Sequence, residues 1–288
     1  MDLVFKDTLD KEAVHEVINK VLLHNQREIG TIDLSSITFV KPYGMVLFLQ
    51  LLDHLESIRR IIYPTSNALT YMERANFFDN ASKYIKLSTS VQNLRKSVAR
   101  DSRNSTMIEI TKIENNNDIS ATMERILNQT SSILETELNY DSNDITSFVT
   151  LLSELLSNIP RHSKAYGYIC AQTYRYPRSS KRYVSVCVSD KGIGMRKSYE
   201  ESDYLHITKC TNEKALTLAV LEGRSSKKRG GNGYKGIKEI TEKFKGSLYV
   251  RSGDADIEIF HKKGEMMERR KHLSELFGTQ VEIKLPQK

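Results

Sequence analysis

A carboxylate, a carboxamide and an imidazole recur every four residues in Glu154-Leu155-Leu156-Ser157-Asn158-Ile159-Pro160-Arg161-His162. On a continuous helix Glu154, Asn158 and His162 would share one face. A carboxamide oxygen can ligate a Mg²⁺ that carries a phosphate, and a carboxylate beside it can orient or deprotonate the attacking oxygen. Pro160 removes an amide donor and is expected to bend or end the helix, which can take His162 off that face. By spacing alone, the same residues also describe the wet stripe of an amphipathic helix.

Two glycine-bearing segments could meet that face. Val188-Ser189-Asp190-Lys191-Gly192-Ile193-Gly194-Met195 follows a strand. Its glycines permit a tight turn with close backbone approach to a ligand, and Asp190 offers an acceptor beside it. Gly231-Asn232-Gly233-Tyr234-Lys235-Gly236 opens a helix, whose free N-terminal amides favour a phosphate anion. Its G-x-G-x-x-G spacing is also that of a dinucleotide-binding turn. That reading fails because the motif follows a polar loop, not a strand, and only about 50 residues remain for a following βαβ unit.

The elements that must hold these groups come from a chain of 288 residues, long enough for two domains. Hydrophobic residues make up 39% and charged residues 27%, which excludes a disordered or fibrous chain. No apolar run approaches the roughly 20 residues of a membrane span, and the N-terminus lacks a signal peptide's apolar core. Cys170, Cys187 and Cys210 include no CxxC, so neither a disulfide framework nor a zinc site is expected. These features predict a soluble, cytoplasmic protein. The net charge of +7 is clumped at Tyr174–Tyr183 and Arg224–Arg229, where nucleic acid, an anionic surface or a ligand's phosphates are the alternatives to a solvated loop.

Along the first hundred residues strand-like and helix-like stretches alternate. Strands are expected at Leu3–Phe5, Thr31–Leu34, Ile37–Val40 and Arg60–Tyr63. Helices are expected after an Asp10 N-cap, at Met45–Ile58 and at Leu69–Phe78. A sheet covered by helices follows. The polar stretch Ser88–Thr106 marks a boundary, dividing the chain into domains 1–95 and 96–288. The second half reads as a strand at Met107–Ile113 and helices at Ala121–Leu138 and Asp144–Pro160. Strands follow at Gly167–Tyr176 and Tyr183–Ser189, then a long polar stretch to Arg229. A helix at Tyr234–Phe244 and three closing strands near Ser247–Arg251, Asp256–His261 and Gln280–Leu285 complete the reading.

In this order and spacing the second half resembles the GHKL ATPase family, the ATP-binding fold shared by histidine kinases, gyrase-type ATPases, Hsp90 and anti-sigma-factor kinases. Glu154, Asn158 and His162 match its N box, and Asp190-Lys191-Gly192-Ile193-Gly194 its first glycine box. Gly231-Asn232-Gly233 matches the second box, and Gly278-Thr279-Gln280-Val281-Glu282-Ile283 the final Gly-Thr strand. The resemblance covers roughly Met107 to Lys288 and implies a Bergerat-type α/β sandwich binding ATP with Mg²⁺. It implies that Asp190 accepts a hydrogen bond from the adenine amino group, directly and through water shared with Thr279. Gly192 and Gly194 would let the backbone pass close to the base, and Asn158 would be the Mg²⁺ ligand. Residues 231–236, with Gly231, Gly233 and Gly236, would set amides against the phosphates. Arg224–Arg229 would lie in the lid, and Glu154 would be the general base.

The first half resembles the STAS fold of anti-sigma-factor antagonists through Ile32-Asp33-Leu34-Ser35-Ser36-Ile37-Thr38-Phe39-Val40, then a glycine and a long apolar helix. In those phosphoswitch proteins an Asp-Ser-Ser-Gly turn carries the phosphorylated serine. Here the turn reads Lys41-Pro42-Tyr43-Gly44, so the phosphoacceptor is missing. Ser35 and Ser36 are read as structural.

His15-Glu16 is similar to the start of a histidine-kinase acceptor helix but lacks the proline that follows in that pattern, and is read as a surface histidine. Tyr174, Tyr176 and Tyr183 are read as a hairpin tip, not a base-stacking platform. The expected activity is Mg²⁺-ATP binding or slow hydrolysis that controls an interaction with a protein partner. A serine/threonine kinase of anti-sigma type and a nucleotide-binding module without turnover stand as alternatives. Pairing of two copies is open, and nucleic-acid or membrane binding is not expected.

Overall fold

The computed structural model describes residues 1–25, 27–65, 67–98, 106–114, 119–161, 166–177, 179–202, 209–226, 233–262 and 264–288. The chain divides into two compact units, Met1–Asn104 with Glu109–Thr111, and Ser105–Ile108 with Lys112–Lys288.

The first unit is built on a three-stranded parallel sheet of β1 (Leu3–Leu9), β2 (Glu28–Val40) and β3 (Ser57–Ile62), with β2 central. Helix α1 (Lys11–Leu23) starts at Asp10, whose carboxylate accepts the Ala13 amide at 3.2 Å. Helix α2 (Pro42–His54) buries all of its residues from Pro42 to Leu52. Its all-round apolar sequence has no wet face to turn outward, so it becomes the spine of the unit's core. The two expected strands at Thr31–Leu34 and Ile37–Val40 are one strand, because Ser35 and Ser36 continue the extended backbone at exposed positions. The expected helix Met45–Ile58 stops at His54, and Ser57 and Ile58 begin β3.

The stretch read as one helix from Leu69 to Phe78 is two helices, α3 (Asn67–Arg74) and α4 (Phe77–Ala81). Asn76 takes a left-handed φ of 61° between them. A further helix, α5 (Thr89–Ser97), occupies the polar stretch, capped by Ser88 and anchored by Val91, its buried residue. His15 is not on the surface. It is 8% exposed and meets the Tyr43 ring edge-on at 6.3 Å.

The second unit carries a five-stranded sheet in the order β4 (Met107–Ile113), β5 (Gly167–Arg175), β6 (Arg182–Asp190), β8 (Glu265–Pro286), β7 (Ser247–Lys262). The pairs β5–β6, β6–β8 and β8–β7 are antiparallel. Val184, Val186 and Val188 of β6 and Val281, Ile283 and Leu285 of β8 alternate onto one face. There they join Phe148, Leu152, Leu155 and Leu156 of helix α7 (Ser142–Arg161) and Ile126, Ile133 and Leu134 of α6 (Ile119–Thr136) in one core. Ile237 of α10 (Gly233–Lys243) completes that layer. This is the α/β sandwich implied for residues after Met107.

The closing strands expected at Ser247–Arg251 and Asp256–His261 are continuous as β7, with an irregularity at Gly253. The third extends back to Glu265, so the two form one long hairpin. The tyrosines sit where the β5–β6 hairpin turns, with Tyr176 and Tyr183 ring centroids 4.7 Å apart. Arg182 in that basic clump pairs with Glu137. Cys170 and Cys187 are direct cross-strand neighbours, buried in the sheet as small core residues.

Candidate functional site

Helix α7 turns Phe148, Leu152, Leu155, Leu156 and Ile159 into the core, a spacing that leaves Ser153, Glu154, Ser157 and Asn158 on the opposite side. That side forms one wall of a cleft of about 620 Å³, within the range that holds a small-molecule ligand. The cleft gathers Glu154, Asn158, Asp190, Gly192, Gly194, Gly233 and Thr279 from five separate elements or turns. Gly236 stands apart. A methyl on it would meet Leu151 Cδ2 at 2.6 Å, so its role is close packing of α10 on α7 rather than lining the cleft. Gly231 and His162 lie outside the described residues, as do residues 227–229 of the basic run.

Asp190 ends β6 at the floor of the cleft. Its Oδ1 accepts the Gly192 amide at 2.6 Å, the hydrogen bond that draws the Asp190–Gly192 turn tight. Burial pushes its pKa up to about 6, although amide hydrogen bonds from Gly192 and Thr279 pull the other way. Thr279 stands across from it on β8, preceded by Gly278. Gly278 has a φ of +78°, and a methyl there would stand 1.9 Å from the Asp190 carbonyl oxygen. Only glycine lets β8 pass this close. Gly278→Ala is therefore expected to lower stability by about 2 kcal/mol or more, roughly 5 °C in the unfolding midpoint by differential scanning fluorimetry, and to weaken ligand binding in the cleft.

Two further walls lie in the stretch read from sequence only as polar. After the Gly194 turn comes the short helix α8 (Gly194–Glu200), from which Met195, Ser198 and Tyr199 line the cleft. The Tyr199 hydroxyl donates to the Arg224 carbonyl at 2.6 Å, the Ser202 hydroxyl donates to the Ser226 carbonyl at 2.5 Å, and the Ser198 and Ser226 hydroxyls are 2.8 Å apart. These bonds hold Arg224, Ser225 and Ser226 at the mouth of the cleft. The exposed Arg224 guanidinium pairs with Glu222 at 2.9 Å. Beyond helix α9 (Asn212–Leu216) a π turn, Thr217–Leu221, brings Ala219 into the lining. Such wide turns inside helices are frequent at functional sites. The apolar run Leu216-Thr217-Leu218-Ala219-Val220-Leu221 was the sequence signal for this wall, but its wide hydrogen bonding has none.

Helix α10 begins at the cleft. A methyl on Gly233 would come within 3.1 Å of Glu154 Oε2, so the helix N-terminus and the Glu154 carboxylate share one end of the site. Tyr234 lines the cleft next to it, and burial, with the Asp190 carboxylate contributing, pushes its phenol well above the usual range. The site thus has two ends. Around Asp190 it presents a desolvated acceptor between close-packed backbone turns. At Glu154 and Asn158 it presents a carboxylate and a carboxamide beside the start of α10, with Arg224 also in the lining.

Among the described residues no group of three or more His, Cys, Asp or Glu could hold a metal ion by itself. The Asn158–Glu154 end suits instead a hard cation that brings most of its oxygen ligands with it, as phosphate-bound Mg²⁺ does. No helix among the described residues is long and apolar enough to cross a membrane. The family model described as histidine kinase-, DNA gyrase B-, and HSP90-like ATPase matches residues 143–288. No curated protein and no solved structure matches the chain.

Proposed function

This chain belongs to the family of histidine kinase-, DNA gyrase B- and HSP90-like ATPases, and from that footing we propose a Mg²⁺-ATP-binding regulatory protein that uses nucleotide binding or slow hydrolysis to control a protein interaction. The observation that carries the reading is the convergence of Glu154, Asn158, Asp190, Gly192, Gly194, Gly233 and Thr279 on one cleft. Chemically, the two ends of that cleft match the two ends of ATP.

Asp190 accepts a hydrogen bond from the adenine amino group, and Gly192, Gly194 and Thr279 set the backbone close to the base. Asn158 would supply the protein's oxygen ligand to Mg²⁺, which when bound would neutralise phosphate charge. Glu154 takes the proton of the attacking oxygen, whether that oxygen belongs to water or to a partner's hydroxyl. The start of α10 and Arg224 lie at the phosphate end, so phosphate charge competes with Glu222 for the Arg224 guanidinium and biases the position of the 224–226 segment. That segment, stitched to α8 through Tyr199 and Ser198, is the surface through which nucleotide state reaches a partner.

For the first unit we propose a STAS-like docking domain. The parallel β1-β2-β3 sheet and the buried α2 support that reading. At the turn where a phosphoacceptor serine would stand, Lys41 Nζ pairs with Asp10 at 3.0 Å and Tyr43 is buried. No serine or threonine occupies Lys41–Gly44, so switching by phosphorylation of that turn is not part of the proposal.

Calorimetric titration of the full chain with ATP, with and without Mg²⁺, tests the reading. Saturable binding that strengthens with Mg²⁺ is expected, and loss of the Mg²⁺ dependence in Asn158→Ala. Labelled ATP then separates the outcomes: free phosphate indicates hydrolysis, label on a protein indicates a kinase. Absence of binding at millimolar ATP would overturn the assignment.

A further inference from the structure

We infer that Ser252, a fully buried residue of β7 outside the cleft lining, is the positioning residue that sets base recognition, holding the two backbone turns that frame the adenine end in register. The inference rests on the nucleotide reading above and adds to it a determinant of base specificity.

The Ser252 hydroxyl makes one bond to each turn. It accepts the Met195 amide at 2.9 Å and donates to the Gly278 carbonyl at 3.3 Å. Met195 is the first residue after the Asp190–Gly194 turn, and Gly278 directly precedes Thr279. Ser252 is itself the cross-strand neighbour of Thr279. The fit leaves little slack, since a methyl on Gly194 would already stand 3.1 Å from Ser252 Oγ.

Gly278 in turn packs on the Asp190 backbone at a separation that admits no side chain. A displacement of either turn is therefore passed directly to the Asp190 carboxylate. Ser252 has no exposure to solvent. Removing its hydroxyl leaves the Met195 N–H and the Gly278 carbonyl without that partner in a dry environment, where water cannot replace it. The turns then have to part or shift to recover hydrogen bonds. The hydroxyl acts at the base end alone, because its two bonds reach neither Glu154 and Asn158 nor the α10 N-terminus.

The test compares ATP with inosine triphosphate, which carries a carbonyl in place of the adenine amino group. Both are titrated into the full chain and its Ser252→Ala variant. We expect ATP affinity to fall about tenfold in the variant with inosine triphosphate affinity little changed, so that the preference for adenine narrows about tenfold. Ser252→Cys, which leaves no cavity but bonds weakly, should move the same way and covers the case in which the alanine variant folds poorly. Amide exchange at Met195, read without nucleotide, should quicken about tenfold in both variants. Equal weakening of both nucleotides would indicate a purely structural role and overturn the inference, as would unchanged exchange at Met195. A wild-type chain that binds neither nucleotide would instead bring down the nucleotide reading and this role with it.

Discussion

Replacing Asp190 by asparagine should weaken ATP binding by about two orders of magnitude or more while making the nucleotide-free protein more stable. The affinity loss follows from chemistry at one atom pair. A buried carboxylate accepts a hydrogen bond from the adenine amino group, whereas a carboxamide in the same turn competes with its own N–H₂ group and leaves polar atoms unpaired in a dry cleft. The gain in stability follows from the same burial. Asp190 has its pKa pushed up to about 6 from an ordinary 3.8, so the folded state holds the proton more tightly than the unfolded chain. Stability contributed by this group is therefore greatest below pH 4 and is lost as pH rises through 6. Asparagine carries no charge to desolvate, and its Oδ1 can still accept the Gly192 amide. At pH 7.5 the variant should gain about 1–3 kcal/mol, a few degrees in the unfolding midpoint, and the gain should vanish near pH 4.

Binding should show the complementary pH dependence. The ionised carboxylate is the competent acceptor, so ATP affinity of the wild type should fall about tenfold per pH unit below 6. Asp190→Asn should retain only the pH dependence of the phosphates, which makes it the control. Calorimetry across pH 5–8 together with thermal melts reads both effects. A variant that binds ATP normally would remove Asp190 from the site.

The second large effect is expected at Glu154. Glu154→Gln preserves shape, and with it the close packing against Gly233, where a methyl would stand 3.1 Å from Oε2, but cannot take a proton. Hydrolysis, or transfer to a partner hydroxyl, should fall by about 10²–10⁴ with ATP affinity changed less than about threefold. Single-turnover phosphate release with a parallel binding titration separates the two quantities. A matching loss of affinity would place Glu154 in binding rather than in proton transfer. Should the wild type bind ATP without turning it over, the substitution should leave its biological function intact while Asn158→Ala abolishes it. That outcome identifies a nucleotide-gated interaction module.

Local chemistry was readable where one segment contains the whole signal. The periodicity of Phe148, Leu152, Leu155 and Ile159 marks α7 and by exclusion its wet face, so Glu154 and Asn158 emerge without any tertiary information. Asp10 before an apolar-periodic run announces a cap, and it caps α1. The alternation of Val184, Val186 and Val188 announces a half-core strand. Even the glycine turns could be placed, because a strand before one and a helix after the other restrict what such sequences can do.

Other features depended on neighbours that a linear reading cannot supply. Ser35 and Ser36 read as a break, yet β2 runs through them because β1 keeps pairing with it beyond that point, Lys6 with Ser36 and Asp7 with Ile37, after β3 has ended its pairing at Asp33. His15 reads as a surface residue until Tyr43 closes over it. Charged residues from Glu265 to Lys271 read as no strand at all, since their pairing with β7 residues Asp256–Lys262 outweighs weak local propensity. Gly236 fits a phosphate-turn pattern in one dimension, whereas folding sets it against Leu151.

The chain's own order of residues was thus enough to specify which groups can do chemistry and which faces of their elements must be wet, because periodicity and turn chemistry act over a few residues. Distances between those groups were decided only by folding. The 1.9 Å that forbids any side chain at Gly278, the burial that raises Asp190 and the hydroxyl of Ser252 between two turns all join residues 26 or more positions apart in sequence. Such contacts exist only when the core has brought β6, β7 and β8 side by side, where close packing and the loss of water set the properties of the site.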